Sequence, residues 1–175
     1  MKEGVCLDKH YKNIRMLIEN NLVEIKKNEI SSNSHTLLTY YNIGKEITEA
    51  QGGKTRAKYG TALIKEYSVL LEKEYGAKYG RSNLMLMRQL FLTFPKVHTV
   101  YGQLSWSMYK EILPIKNKNK RNYYINSVVE HNFSVRQLRE YIKTNAYERL
   151  VKKDNIKLKY IDQDEKKWNW YFGYN

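Results

Sequence analysis

Several residue types that constrain a fold or a chemistry are scarce here. Cys6 is the only cysteine in 175 residues, which excludes an internal disulfide framework and a thiolate zinc site. The two prolines, Pro95 and Pro114, each mark a place where a helix is expected to stop. The four histidines, His10, His35, His98 and His131, lie far apart with no ligand-like spacing, so no metal and no cofactor is expected. No apolar run approaches the roughly 18 residues of a membrane span, and the start MKEGVCLDKH lacks a signal-peptide core; the expectation is a cytoplasmic protein without membrane contact. Acidic residues are the last shortage: 18 Asp plus Glu face 31 Lys plus Arg, for a net charge of +13.

What is present points to a folded, helical protein. A chain with 42% hydrophobic and 13% aromatic residues can bury a core, so wholesale disorder is excluded, and its length fits one compact unit or two small helical lobes. The excess of positive charge, with Lys116, Lys118, Lys120 and Arg121 crowded together, points to a polyanionic partner, because each neutralised phosphate releases counterions. A bias toward Lys, Asn, Ile and Tyr would give a merely solvated lysine surface, but such a bias should enrich Glu as well.

Apolar spacing predicts about seven helices. The first, over about 8–29, carries Ile14, Leu17, Ile18, Leu22 and Ile25; the second, capped by Ser34, carries Leu37, Tyr41, Gly44, Ile47 and Thr48 on one face. Gly44, in mid-helix, is expected to permit close helix approach. The third, over about 61–75, turns Leu63, Tyr67, Leu70 and Leu71 inward and stops at Gly76. Ser82 is a suitable N-cap for a fourth over about 83–94, with Leu84, Met87, Phe91 and Phe94 inward and Met85 and Leu86 exposed for a possible dimer contact. Two helices joined by a glycine-containing turn outline a helix-turn-helix. Ser105 caps a fifth helix with Trp106 in the core; Asn117 opens a sixth that ends at Asn132; Ser134-Val135-Arg136-Gln137 is a capping box for a seventh, striped by Val135, Leu138 and Ile142. Beyond about residue 151 the pattern becomes irregular or strand-like and ends in the aromatic run Trp168 to Tyr174, expected to pack on its own domain or a second subunit. The organisation read this way is a helical domain over 1–151 and a basic, aromatic tail over 152–175.

The same residues carry a family resemblance. Tyr41-Asn42-Ile43-Gly44-Lys45-Glu46-Ile47, Tyr59-Gly60, Ser82-Asn83-Leu84 through Met87-Arg88-Gln89, Phe94-Pro95, Gln103-Leu104-Ser105-Trp106-Ser107, and Ser134 to Leu138 with Tyr147-Glu148-Arg149-Leu150 follow in order over about 37–150. This pattern resembles the N-terminal domain of YhcG-type bacterial proteins, in which an all-helical domain thought to bind DNA typically precedes a PD-(D/E)xK nuclease domain. The stretch from Leu104 to Ser107, Ile112-Leu113 and Phe133 to Gln137 is also similar to the helical DNA-binding core of ParB-type partition proteins, which implies a recognition helix at about 82–93. Residues 152–175 are too few for a nuclease sheet, and Glu24-Ile25-Lys26 falls on a predicted helix rather than the strand that nuclease chemistry requires; no enzymatic activity is expected of this chain.

Under that resemblance, Lys54, Arg56, Lys58 and Arg81 are candidates for phosphate contacts around the helix-turn-helix. Ser82, Asn83, Arg88 and Gln89 are candidates for base edges in the major groove, with Arg88 alternatively an internal ion-pair partner. Lys116, Lys118, Lys120 and Arg121 add a second basic site, and Arg136 and Arg139 pair with Glu140 or touch phosphate. The expected partner is duplex DNA, bound by a homodimer that regulates a promoter or targets a separate nuclease. The alternative is a protein-interaction module or inhibitor that binds a nuclease or another acidic partner, and RNA is a third possibility.

Overall fold

The computed structural model describes residues 8–27, 32–53, 60–94 and 104–154. Among these residues there are eight α-helices and no strand: α1 (Lys9–Lys27), α2 (Ser32–Ala50), α3 (Gly60–Tyr75), α4 (Arg81–Thr93), α5 (Trp106–Ile112), α6 (Lys118–His131), α7 (Val135–Lys143) and α8 (Ala146–Asp154), with a single 3₁₀ turn at Ala77–Tyr79. The fold is all-α. Lys54, Arg56, Lys58 and the tail over 155–175 lie outside the described residues. The helices fall into two compact units that divide between Trp106 and Ser107.

In the first unit α2 is the central element, packed chiefly against α4 and α1. The face predicted for it, Leu37, Tyr41, Gly44, Ile47 and Thr48, is buried, and Ile43 is buried beside it. Ile43 and Ile47, with Tyr40, join Tyr11, Ile14 and Ile18 of α1, Ile64, Tyr67 and Leu71 of α3 and Leu84 and Met87 of α4 in one apolar core, which removes from water the stripe that each amphipathic helix cannot bury alone. Trp106 packs against that core, its ring 5.0 Å from Tyr40. Asp8 precedes α1 and caps it, accepting a 2.8 Å bond from the Tyr11 amide. The same carboxylate accepts the Tyr67 hydroxyl at 2.6 and 2.7 Å and so ties α1 to α3.

The second unit is built on α6. Asn117 caps it by accepting from the Lys120 amide, and Asn132 closes it in the left-handed conformation (φ 54°, ψ 43°), as the sequence predicts. The Ser134 capping box opens α7 with both reciprocal bonds present. Tyr109 and Ile112 of α5, Tyr124, Ile125 and Val128 of α6, Leu138 of α7 and Ala146 of α8 are buried residues of this unit, in which α6, α7 and α8 contact one another. Sequence spacing predicts seven helices, whereas the described residues form eight. Asn145, at φ 52°, breaks the chain between α7 and α8 without the glycine or proline that announces most helix ends.

Candidate nucleic-acid interface

The first candidate surface is the α3-turn-α4 pair. Gly76 adopts φ 89° and ψ 174°, a backbone conformation that L side chains rarely enter, and it terminates α3. The chain then winds through the 3₁₀ turn, whose Tyr79 is fully buried against Tyr40 and Tyr75. Burial of that ring draws the next helix forward. Gly80, not Ser82, is the N-cap of α4, with no side-chain capping bond; the predicted cap Ser82 lies exposed inside the first turn. The start is held instead by Asn83, whose side-chain amide donates to the Lys78 carbonyl at 3.1 Å.

The start at Arg81 sets which side chains of α4 face solvent. Arg81 and Ser82 are exposed at the start of α4, where unsatisfied backbone N–H groups favour an anion. Asn83 and Gln89 are half-buried, and Asn83 is committed to the turn. Arg88 is half-buried, and its Nε is buried with no hydrogen-bond acceptor. Lys78, which sequence reasoning passed over, is exposed in the turn with its ammonium 5.1 Å from the Tyr79 ring centre. Its adjacency to Arg81 in Ala77-Lys78-Tyr79-Gly80-Arg81 was the available signal.

The second surface belongs to the other unit, and there the predicted cations divide into two groups. Lys116, Lys118 and Arg136 are exposed. The other three have internal roles: Lys120 bonds Glu148 at 2.5 Å and joins α6 to α8; Arg121 donates to the Ile115 carbonyl at 2.9 Å; and Arg139 pairs with Glu111, at 2.6 Å from Nη2 and 3.1 Å from Nε, not with the predicted Glu140. The ammonium of Lys120 holds the Glu148 carboxyl below its ordinary range, and Glu148 in turn raises Lys120. A phosphate reaching Lys120 therefore competes with a carboxylate that is ionised at neutral pH. These partners lie 28 residues apart, and periodicity carries no trace of them.

The same unit holds an aromatic cluster. Tyr123 stacks on Tyr141 at 6.0 Å and 23°, and their hydroxyls meet at 2.5 Å. Burial, then the Tyr141 hydroxyl, pushes Tyr123 up to about 12, so the Tyr123 phenol is neutral in the physiological range. In the first unit His10 Nδ1 lies 2.8 Å from Glu46 Oε2, and Glu49 completes a set of potential metal ligands within 4.8 Å of one another. Glu46 also accepts from Asn13 and so links α2 to α1, whereas Glu49 faces Lys45 within α2 at 3.8 Å. Their spacing in the sequence gives no hint of this grouping, because the two helices supply the ligands separately. No described helix is long and apolar enough to cross a membrane.

The family model described as the DUF1016 N-terminal domain matches residues 13–149. An Escherichia coli K12 protein named "Putative nuclease YhcG" is 32% identical over 154 residues, an alignment that covers 69% of this chain and 41% of that protein. The chain thus spans about two-fifths of the length of the curated relative it matches. No solved structure matches significantly.

Proposed function

The chain belongs to the DUF1016 N-terminal domain family, and from that membership we propose that it is a non-catalytic, DNA-binding helix-turn-helix protein that regulates a promoter or targets a separate nuclease. The observation that carries this proposal is the start of α4, where Arg81 and Ser82 stand exposed after a short 3₁₀ connector, in a chain of net charge +13. An exposed N-terminal turn is the part of a recognition helix that reaches base edges and phosphates in a major groove. Arg88, two helical turns further along α4, is half-buried and forms no ion pair with a described residue.

The nuclease name of the relative supports a nuclease-related role, and the placement of the ExK spelling on a helix supports a role beside a nuclease. Glu24-Ile25-Lys26 lies within α1 and Glu72-Lys73-Glu74 within α3, where helical geometry does not set carboxylate and lysine side by side as a strand does. The expected state is a homodimer over two half-sites, with Met85, 47% exposed on α4, available for the contact. The test compares variants on a panel of duplex sequences. Arg81→Ala should weaken every duplex evenly, whereas Arg88→Ala should relax preference at one base pair, by about 1–3 kcal/mol. Indifference of all duplexes to both substitutions would remove α4 from the interface.

A second reading is a protein-interaction module or inhibitor that binds a nuclease or another acidic partner. It draws support from Met16 and Val23, exposed by 55% and 47% on α1 and two helical turns apart on one side. Loss of nuclease assembly on Val23→Lys, with duplex affinity retained, would favour it.

A further inference from the structure

The second unit carries a shallow groove of about 490 Å³ whose lining includes the rings of Phe133 and Tyr141 and the side chains of Arg136 and Arg149. We propose that this groove receives an unpaired nucleotide of a DNA strand, its base against the Phe133–Tyr141 pair and its phosphates on the two arginines. The proposal rests on the DNA-binding reading above and adds a second class of DNA contact to it.

The rings are held in place before any ligand arrives. Phe133 follows the left-handed Asn132 and precedes the capping residue Ser134, so both neighbours have fixed backbones. Its amide donates to the Val128 carbonyl at 3.3 Å. Its ring meets Tyr141 edge to face, at 5.2 Å and 67°, and lies 5.4 Å from His131. Tyr141 is backed by Tyr123 through the stack and the hydroxyl contact. Both Phe133 and Tyr141 are nonetheless only half-buried, so apolar ring surface remains accessible at the groove. Each aromatic ring held this way loses little conformational freedom on binding.

The charges around them suit a phosphodiester. Arg136 is exposed and makes no hydrogen bond or ion pair with a described residue. Arg149 donates from Nη2 to Thr144 Oγ1 at 3.1 Å, which orients the guanidinium and leaves its other N–H groups for a ligand. The one carboxylate in the lining, Glu140, is neutralised by Lys143 at 3.0 Å. A groove of this volume is the size of a small-ligand site, too small for a duplex but sufficient for one base with its sugar. Duplex bases offer only their edges, whereas a ring platform needs a base face, and an unpaired base exposes one.

The test uses the full chain and three probes: a blunt DNA duplex, the same duplex extended by a short single-stranded DNA overhang that carries 2-aminopurine, and that duplex with the corresponding RNA overhang. The overhang should tighten binding on the order of tenfold, as expected for one stacked base, and quench the 2-aminopurine. Phe133→Leu should abolish the gain and the quenching while leaving the blunt-duplex Kd unchanged. Arg149→Ala, which leaves the aromatic cluster intact, should reduce the gain independently of any effect on folding. Blunt-duplex binding without an overhang gain overturns this proposal alone; no binding of any probe at low salt overturns the DNA-binding reading and this proposal with it. A larger gain with an RNA overhang than with DNA overturns the assignment to a DNA strand.

Discussion

Gly44 lets the backbone of α2 lie directly against that of α4: a Cβ at that position would lie inside van der Waals contact of the Met87 carbonyl oxygen and carbon. Two effects oppose each other in Gly44→Ala. Alanine is favoured over glycine by about 1 kcal/mol in a helix interior, but overpacking against backbone, which cannot rotate away as a side chain can, costs about 3 kcal/mol. The clash wins, so Gly44→Ala should lose about 2 kcal/mol in urea unfolding; a stabilised variant would show that the helices are further apart than described. Asp8 is a second residue with a calculable consequence. Partial burial raises its pKa, but the Tyr67 hydroxyl, the Tyr11 and His10 amides and the nearby His10 outweigh that and leave it below the ordinary value of 3.8. A folded pKa below the unfolded one stabilises above the unfolded value and is lost as pH falls through the folded value. The fall in Tm from about pH 4 downward should therefore be shallower in Asp8→Ala than in the wild type; an identical acid limb would remove Asp8 from the linkage.

At the scale of elements, what the sequence discloses depends on whether the determinant is local. The buried face of α2, the Asn117 and Asn132 ends of α6 and the Ser134 capping box were legible, because each is set within a few residues of the chain. The start of α4 was not: Ser82 has the right chemistry for a cap, but Tyr79 is fully buried in the first unit's core, and the helix begins at Arg81. The boundary between α7 and α8 was hidden because Asn145 takes a positive φ that asparagine adopts only sometimes. Side-chain engagement was the least legible of all. Whether Arg139 is available for DNA depends on Glu111, and Lys120 on Glu148, pairings set by tertiary contact. This account makes Ser134→Ala a mild helix-end lesion of about 1 kcal/mol, measurable as a lower urea midpoint. A loss several times larger would mean that the capping box also positions the Phe133 groove.

Across the whole molecule the dominant property is the charge of +13, and the structure shows where part of it is already neutralised. Lys120 and Arg139 pair with carboxylates and Arg121 with a carbonyl, whereas Arg81, Lys116 and Arg136 are exposed. In the DNA-binding function we propose, exposed cations in the two units would give a binding free energy dominated by counterion release, with α4 adding selectivity. The most direct test is the affinity of the wild-type protein for a duplex DNA, measured by fluorescence anisotropy from low to moderate salt. Binding should be clear at low salt, and log K should fall linearly with log salt with a slope on the order of −4, at about −0.9 per contacted phosphate. Absence of duplex binding at low salt, or an affinity that does not respond to salt, would contradict the account.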